Sequence, residues 1–263
     1  MATRVAVSGV GRMGQQVLLA LAQAPDLEPV AAVARTPRGP ELPMPDGTRL
    51  PYSTDPFSIF QATRPQVVVD FSHADFTPKV AEAALAVGAR LVIGTSGLSQ
   101  DFVARLKEEC RARGLGGVVA ANFAIGAVVM MHLARIAAPF FDVAEIIEMH
   151  HDAKADAPSG TALATARAMA EARGRPFRRP PTEKENLPGS RGGEVEGITI
   201  HSVRLPGLVA HQEVIFGSQG QTLTIRHDST SRESFLPGVL LAVRRALTLQ
   251  ELVVGLEPLL GLA

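Results

Sequence analysis

Short, wholly apolar runs alternate with helical patterns through the first half of the chain. Residues 4–8 read as a strand, 11–24 as a helix and 27–34 as a second strand. Residues 67–71 form a third strand, with Pro65 just before it. A helix over 76–88 ends in Gly88, a common helix stop. Strand 90–94, helix 99–113 with Ser99 as its cap, and strand 117–121 complete the series. Strands that are apolar throughout and alternate with helices predict a parallel sheet covered on both faces. Residues 35–56 are rich in Pro and Gly and weakly apolar, so they read as a surface loop with little regular structure.

The pattern changes after Asn122. Residues 125–138 read as a helix, 144–150 as a strand and 159–173 as a helix. Residues 174–196 are polar and Pro/Gly-rich, which predicts a long mobile loop. Three alternating runs, 198–204, 209–216 and 222–227, are separated by short Gly-containing turns and predict an antiparallel meander. Residues 231–249 return to helix. The fold class is therefore α/β: an N-terminal Rossmann-like parallel sheet, with a second α+β domain (mixed/antiparallel sheet) inserted before a returning C-terminal helix. The expected division is 1–122 plus 231–263 as a dinucleotide-binding domain, and 123–230 for substrate binding and oligomerisation. Hinges at Asn122–Phe123 and near Ser231 would let the domains close over a substrate.

Composition narrows the partners. The chain has 263 residues, 46% hydrophobic and 20% charged, with zero formal net charge. No basic excess points to nucleic acid. No basic segment followed by an apolar run opens the chain, and no apolar stretch reaches the ~18–20 residues of a membrane span. A cytoplasmic location is expected. Cys110 is the single cysteine, which excludes an internal disulfide and a cysteine metal cluster. The lysines are only Lys79, Lys107, Lys154 and Lys184.

Candidate chemistry lies in two places. Ser8-Gly9-Val10-Gly11-Arg12-Met13-Gly14 links the first strand to the first helix. In that context a GxGxxG pattern brings backbone and a helix N-terminus against a pyrophosphate, and Arg12 can add charge. The second strand ends Val33-Ala34-Arg35-Thr36. An acidic residue there would take a ribose 2′-hydroxyl, whereas an arginine accommodates a 2′-phosphate. Arg35 and the lack of a carboxylate predict that NADPH binds at least as well as NADH. Gly94-Thr95-Ser96 and Ala120-Ala121-Asn122-Phe123 follow the fourth and fifth strands, where a nicotinamide would reach.

The second place runs from His150 to Ala162 and holds His150, His151, Lys154 and a Pro158-Ser159-Gly160-Thr161 turn that opens a helix. Two imidazoles, an ammonium and free backbone N–H groups packed so closely point to a site that grips an anionic substrate and hands it a proton, and His or Lys is the natural donor. The N–H groups of Ser159, Gly160 and Thr161 form a pocket for a carboxylate, and Ser159 is a candidate cap. Asp156 would cap the turn or orient a cation. The sequence leaves open whether His150 or Lys154 gives the proton; Lys154 is the favoured donor, with His150 shaping the local field. A zinc site is a poor reading, because adjacent histidines on a strand point to opposite faces and no further ligand has the right spacing.

These motifs resemble those of the dihydrodipicolinate reductase family. The segment from Glu148 through Met149, His150, His151, Asp152, Ala153, Lys154, Ala155, Asp156, Ala157, Pro158, Ser159, Gly160 and Thr161 to Ala162 is similar to the family's E-x-H-H-x-x-K-x-D-x-P-S-G-T-A. Gly11-Arg12-Met13-Gly14, Val69-Asp70-Phe71-Ser72, Gly94-Thr95-Ser96-Gly97 and Ala120-Ala121-Asn122-Phe123 resemble its other motifs. The resemblance runs from residue 4 to about residue 248. It implies hydride transfer from NAD(P)H to a cyclic dicarboxylic imine in lysine and diaminopimelate synthesis, in a homotetramer. It implies acid/base action at His150, proton donation at Lys154, and substrate carboxylates at His151, Gly160 and Thr161. Two departures stand out. Ser8 occupies a position where many members have glycine, and Ala34 replaces an acidic residue that some use for NADH. The competing readings are another Rossmann oxidoreductase, acting on a sugar or amino acid, and a catalytically silent NADP sensor.

Overall fold

In chain order the first unit begins with β1 (Thr3–Ser8), α1 (Arg12–Gln23), β2 (Leu27–Val33), β3 (Glu41–Pro43), β4 (Arg49–Ser53) and α2 (Pro56–Thr63). It continues with β5 (Val67–Asp70), α3 (Thr77–Ala86), β6 (Arg90–Ile93), α4 (Gln100–Arg113) and β7 (Gly117–Val119). The computed structural model describes residues 1–36, 39–45 and 47–262. Val67–Asp70 and the last four residues of β1 are buried throughout, as expected for strands covered on both faces. Local chemistry sets the helix ends. Asp55 accepts from Ser58 N to open α2, Ser99 accepts from Phe102 N to open α4, and Gly114 closes α4 in the left-handed conformation.

The second unit contains α5 (Ile125–Ala137), a 3₁₀ turn (Ala138–Phe140), β8 (Val143–His150), α6 (Gly160–Arg173), β9 (Gly193–Val195), β10 (Ile198–Arg204), β11 (Ala210–Ser218) and β12 (Gln221–Ser229). The chain then returns to the first unit with α7 (Leu236–Ala246), β13 (Leu252–Val254) and α8 (Glu257–Leu260). The compact units are 1–123 with 235–261, and 124–234 with Leu262.

The first sheet has the order β13-β7-β6-β5-β1-β2-β4-β3, parallel except for β3 against β4. Connections leave β1 toward β2 and later return to β5 on its other side. That reversal makes a crevice at the carboxyl ends of β1 and β5, where open α/β sheets take their ligands. Val68, Val80, Leu91, Ile93, Leu106, Cys110 and Leu252 lie in the core on one face.

The second sheet has the order β12-β11-β8-β10-β9. β8 is parallel to β10 and antiparallel to β11. The expected antiparallel meander over 198–227 is therefore corrected: β8 lies between β10 and β11, and of the three strands β10, β11 and β12 the consecutive pair joined as a hairpin is β11 with β12. Alternation along each strand was visible in the sequence, but the pairing partner of a strand is a long-range choice that alternation does not encode. Ala134, Ala138, Ala162, Ala166 and Met169 pack against Ala144, Ile146, Ile198, Ile200, Val214 and Phe216.

Three other expectations change. The 35–56 segment carries β3 and β4, joined to the sheet through Ala32–Tyr52 and Val33–Ser53 pairs. β9 lies at the end of the 174–196 segment and pairs with β10. The 231–249 helix is a 3₁₀ turn at Arg232–Phe235 followed by α7, with Pro237 at its start. β13 and α8 were not foreseen; β13 is three residues long, too short for a periodic signal.

Candidate active site

The turn after β1 is built by three glycines with different tasks. Gly9 has φ +88°, and a Cβ on it would lie 2.3 Å from the Phe71 carbonyl oxygen. A Cβ on Gly14 would lie 1.6 Å from the Gly9 carbonyl oxygen, so α1 packs directly on the turn. A Cβ on Gly11 would meet nothing within 4 Å. Gly11 caps α1 without a side-chain bond, so the first N–H groups of that helix lack an intrahelical acceptor. The arrangement suits a pyrophosphate: two glycines hold the turn and the helix together, and the third leaves the approach open.

A cleft of about 210 Å³ adjoins this turn, lined by Gly9, Val10, Gly11, Ala34, Arg35, Thr36, Phe71, Ser72 and His73. Arg35 is thus brought to the glycine turn, as its place after β2 predicted. Arg12 is exposed and Met13 half-buried at the start of α1. Ser8 is fully buried in β1, and its carbonyl accepts from Phe71 N at 2.9 Å, so it belongs to the floor of the crevice. The Tyr52 hydroxyl donates to the Thr36 carbonyl and ties the Arg35 loop to β4.

Phe71, Ser72 and His73 went unassigned in the sequence reading, although Phe71 and Ser72 stood in a quoted motif. Their signal was topological, since they end the strand beside β1. Asp70, also unassigned, is fully buried and accepts from Thr77 Oγ1 at 2.5 Å and Thr95 Oγ1 at 2.8 Å. Thr95 Oγ1 in turn accepts from Ser72 N at 3.0 Å, which joins the Gly94-Thr95-Ser96 loop to the end of β5. A Cβ on Gly94 would meet the Phe71 ring at 2.1 Å. Ala120 and Phe123 are buried, Ala121 is exposed, and Asn122 is half-buried. Phe123 stacks at a tilt on Phe71, centroids 5.6 Å apart.

In the second unit the covered face of β8 changes character along its length. Ala144 and Ile146 are core, then Glu148 and His150 follow at the same two-residue period. β10 does likewise, with Ile198 and Ile200 followed by Ser202 and Arg204, and Arg204 is the register partner of His150. The polar ends of the two strands assemble a network. Glu148, fully buried, accepts from Arg204 Nη2 at 2.8 Å and Nη1 at 2.9 Å, one bond to each oxygen. Its Oε1 also accepts from Ser159 N at 3.2 Å, and its Oε2 lies 2.6 Å from His150 Nδ1. Arg204 Nη2 donates as well to the Asp156 carbonyl at 2.7 Å.

Burial pushes the Glu148 carboxyl up, but hydrogen bonds from Arg204, Ser202 and His150 outweigh it and hold it below 4.5. Burial is the main influence on His150 and holds its pKa below 6.5; Glu148 opposes this, while Lys154 and Arg204 reinforce it. Neither Glu148 nor Arg204 was assigned a role from sequence. Glu148 stood in the quoted motif, whereas Arg204 is 56 residues away with no local cue.

Ser159 caps α6 through Ala162 N at 3.2 Å. Its own N–H goes to Glu148, so both of its polar groups serve the fold. Gly160 and Thr161 remain in the first turn of α6, with N–H groups that no intrahelical carbonyl can take. A Cβ on Gly160 would meet nothing within 4 Å. Lys154 Nζ donates to Asp156 Oδ1 at 2.6 Å, and the Lys154 hydrogen bond is the main reason the Asp156 carboxyl sits below its usual 3.8. Asp156 is exposed, so this pair is worth less than about 1 kcal/mol and yields readily to another carboxylate. His151 is half-buried one residue past β8.

A dinucleotide crevice in one unit, and imidazole, ammonium and open helix N–H groups in the other, define the class of two-unit nucleotide-dependent reductases. Comparison with known proteins narrows this. The family described as dihydrodipicolinate reductase, N-terminus, matches residues 3–123, and its C-terminus counterpart matches residues 126–260. The chain belongs to the dihydrodipicolinate reductase family. It is 49% identical over 261 residues to a 4-hydroxy-tetrahydrodipicolinate reductase of Dehalococcoides mccartyi, covering 98% of each chain. It is 47% identical to one of Geobacillus kaustophilus, over 99% of this chain and 100% of that one. Among solved structures it superposes on dipicolinate-bound dihydrodipicolinate reductase from Paenisporosarcina sp. TG-14 with TM-score 0.88 and 40% identity, covering 98% and 99% of the two chains.

Proposed function

We propose that the chain is a 4-hydroxy-tetrahydrodipicolinate reductase, transferring hydride from NAD(P)H to a cyclic dicarboxylic imine, with the substrate's 4-hydroxyl leaving as water, to give tetrahydrodipicolinate on the route to diaminopimelate and L-lysine. The observation that carries this reading is the grouping of His150, Lys154 and the open first turn of α6 in a chain whose relatives bear that name over nearly their whole length. Bound NAD(P)H supplies the hydride. Gly9, Val10, Gly11, Arg12 and Met13 would hold its pyrophosphate above the floor that buried Ser8 forms, and Gly94, Thr95, Ser96 and the 120–123 segment would hold its nicotinamide end. Arg35 receives a ribose 2′-phosphate, which makes NADPH at least as good a donor as NADH; its place on the cleft beside Ala34 supports this.

Gly160 and Thr161 N–H groups, with Ser159 shaping the turn, hold one substrate carboxylate, and His151 holds the other. Lys154 exchanges its exposed partner Asp156 for the anionic substrate and donates the proton that the reduced nitrogen needs. His150 stays neutral at pH 7 and acts as acid/base at the same centre. The working form is a homotetramer. Half-buried Ile147, Met149 and Ile215 and exposed Val203, on the sheet face opposite the helices, support that assembly. The enzyme works in the cytoplasm. No helix among the described residues is long and apolar enough to cross a membrane.

The test is loss of reduced-nicotinamide absorbance with the condensation product of pyruvate and aspartate semialdehyde. Wild type oxidises NADPH and NADH, and Lys154→Ala lowers kcat by about 10²- to 10⁴-fold. A folded protein that binds NADPH but turns over neither cofactor would favour the sensor reading.

A further inference from the structure

We propose that Glu148 and Arg204 are positioning residues for the reaction: together they lock His150 in one tautomer, Nδ1–H, so that Nε2 is the nitrogen it presents. The inference rests on the reading of His150 as a group at the reacting centre.

The geometry leaves Glu148 little freedom. Its side chain is inaccessible to solvent and accepts two bonds from one guanidinium, one from the N-cap amide of α6, one from the imidazole and one from the Ser202 side chain. A bidentate guanidinium pair fixes the plane of the carboxylate as well as its charge. A carboxylate only accepts hydrogen bonds, so the ring nitrogen 2.6 Å from Oε2 must carry the hydrogen. His150 then holds Nε2 as a bare acceptor when neutral, and as a donor only after it has taken up a proton. This is the second-layer logic by which a carboxylate sets which histidine nitrogen does chemistry.

The same contacts tie the histidine to the substrate turn. Glu148 Oε1 receives Ser159 N, and Arg204 reaches the Asp156 carbonyl, so one buried ion pair orients the imidazole and anchors the segment between Lys154 and Gly160. The charged groups acting on His150 are Glu148 on its own strand, Lys154 on the following loop and Arg204 on β10. Its register partner on β11 is Ala210, and α6 meets this network through Ser159, neither of them titratable.

The signature is a pair of opposite shifts. Glu148→Gln removes the anion that favours imidazolium, so His150 titrates lower and the acid limb of the kcat profile moves down. Arg204→Gln removes a repelling cation and leaves Glu148 without its partner, so the Glu148–His150 pair holds its proton to higher pH and the limb moves up. A merely structural role would move both the same way or neither. Both variants lose roughly tenfold or more in kcat, and Arg204→Lys, which keeps the charge but not the fork, recovers only part of it.

The deciding measurement reads the unaltered network. Full-length wild type labelled with ¹⁵N-histidine, its His150 resonances assigned by loss in His150→Gln, is read by long-range nitrogen–proton correlation above the His150 titration. A protonated Nδ1 and bare Nε2 support the proposal. The Nε2–H tautomer, or an even mixture, overturns it, as do shifts of one sign in two folded variants. The tautomer is read without turnover. Full activity in His150→Gln would therefore sink the acid/base reading of His150 while leaving the tautomer result intact.

Discussion

The Cβ position of Gly14 lies 1.6 Å from the carbonyl oxygen of Gly9, closer than any side chain could come. This contact joins the first turn of α1 to the loop after β1, and Gly11, three residues earlier, stands in open space. Two glycines of one motif therefore make different predictions. Gly14→Ala must push the helix off the turn, destabilising the protein by about 1–3 kcal/mol or more. Gly11→Ala changes stability by less than about 1 kcal/mol but weakens cofactor binding, because its methyl enters the path of the pyrophosphate. Thermal melting with NADPH titration separates the two; equal melting losses would refute the division of roles.

Arg35 lines the cleft beside Gly9 and Gly11 with no carboxylate at position 34. Replacing it with alanine should raise the Michaelis constant for NADPH by roughly tenfold, the ~1.4 kcal/mol scale of a charge-assisted contact. NADH should be unaffected. Steady-state kinetics with both cofactors checks this, and a parallel loss for the two would remove Arg35 from 2′-phosphate recognition.

Acid should destabilise the fold in two stages. Burial first, then Lys154 and Arg204, hold His150 below its ordinary 6.5 despite Glu148. Between 6.5 and the folded value the unfolded chain takes up the proton more readily, so stability falls as pH drops through that window. Glu148 is held below 4.5, chiefly by Arg204 working against burial. Its contribution is complete above 4.5 and disappears as pH falls through the folded value. Urea unfolding across pH should show both stages in wild type, with the first one missing in His150→Gln. A wild-type curve flat from about pH 7 to about pH 5 would contradict the depressed His150 value.

Cys110 is completely buried on α4, and burial pushes its thiol up to about 11. Little thiolate forms at neutral pH, and reagents cannot reach it. Alkylation of the native protein by iodoacetamide should therefore follow global unfolding and accelerate sharply in denaturant. Fast labelling of the folded protein would show that α4 opens locally.

Much of the architecture was legible along the chain because its signals are local. Val67, Val68 and Val69 announce a doubly covered strand, and Ser99 and Ser159 announce helix starts through hydrogen bonds spanning three residues. The glycine loop declared itself because a strand precedes it and a helix follows it. The short pairings of Leu42 with Leu50 and of Val253 with Val118 were hidden, since strands of three to five residues carry too few periods to distinguish from loop.

By itself the sequence determined the two-unit α/β plan, the glycine turn and the His150–Ala162 run, because periodicity, capping and turn chemistry act over a few residues. The tertiary structure alone decided that β8 lies between β10 and β11, that Arg204 stands beside His150, and that Glu148 is their common partner. The Glu148–Arg204 contact alone joins positions 56 residues apart through strand register. Register follows from which faces bury together, a property of the assembled sheet and not of any one strand.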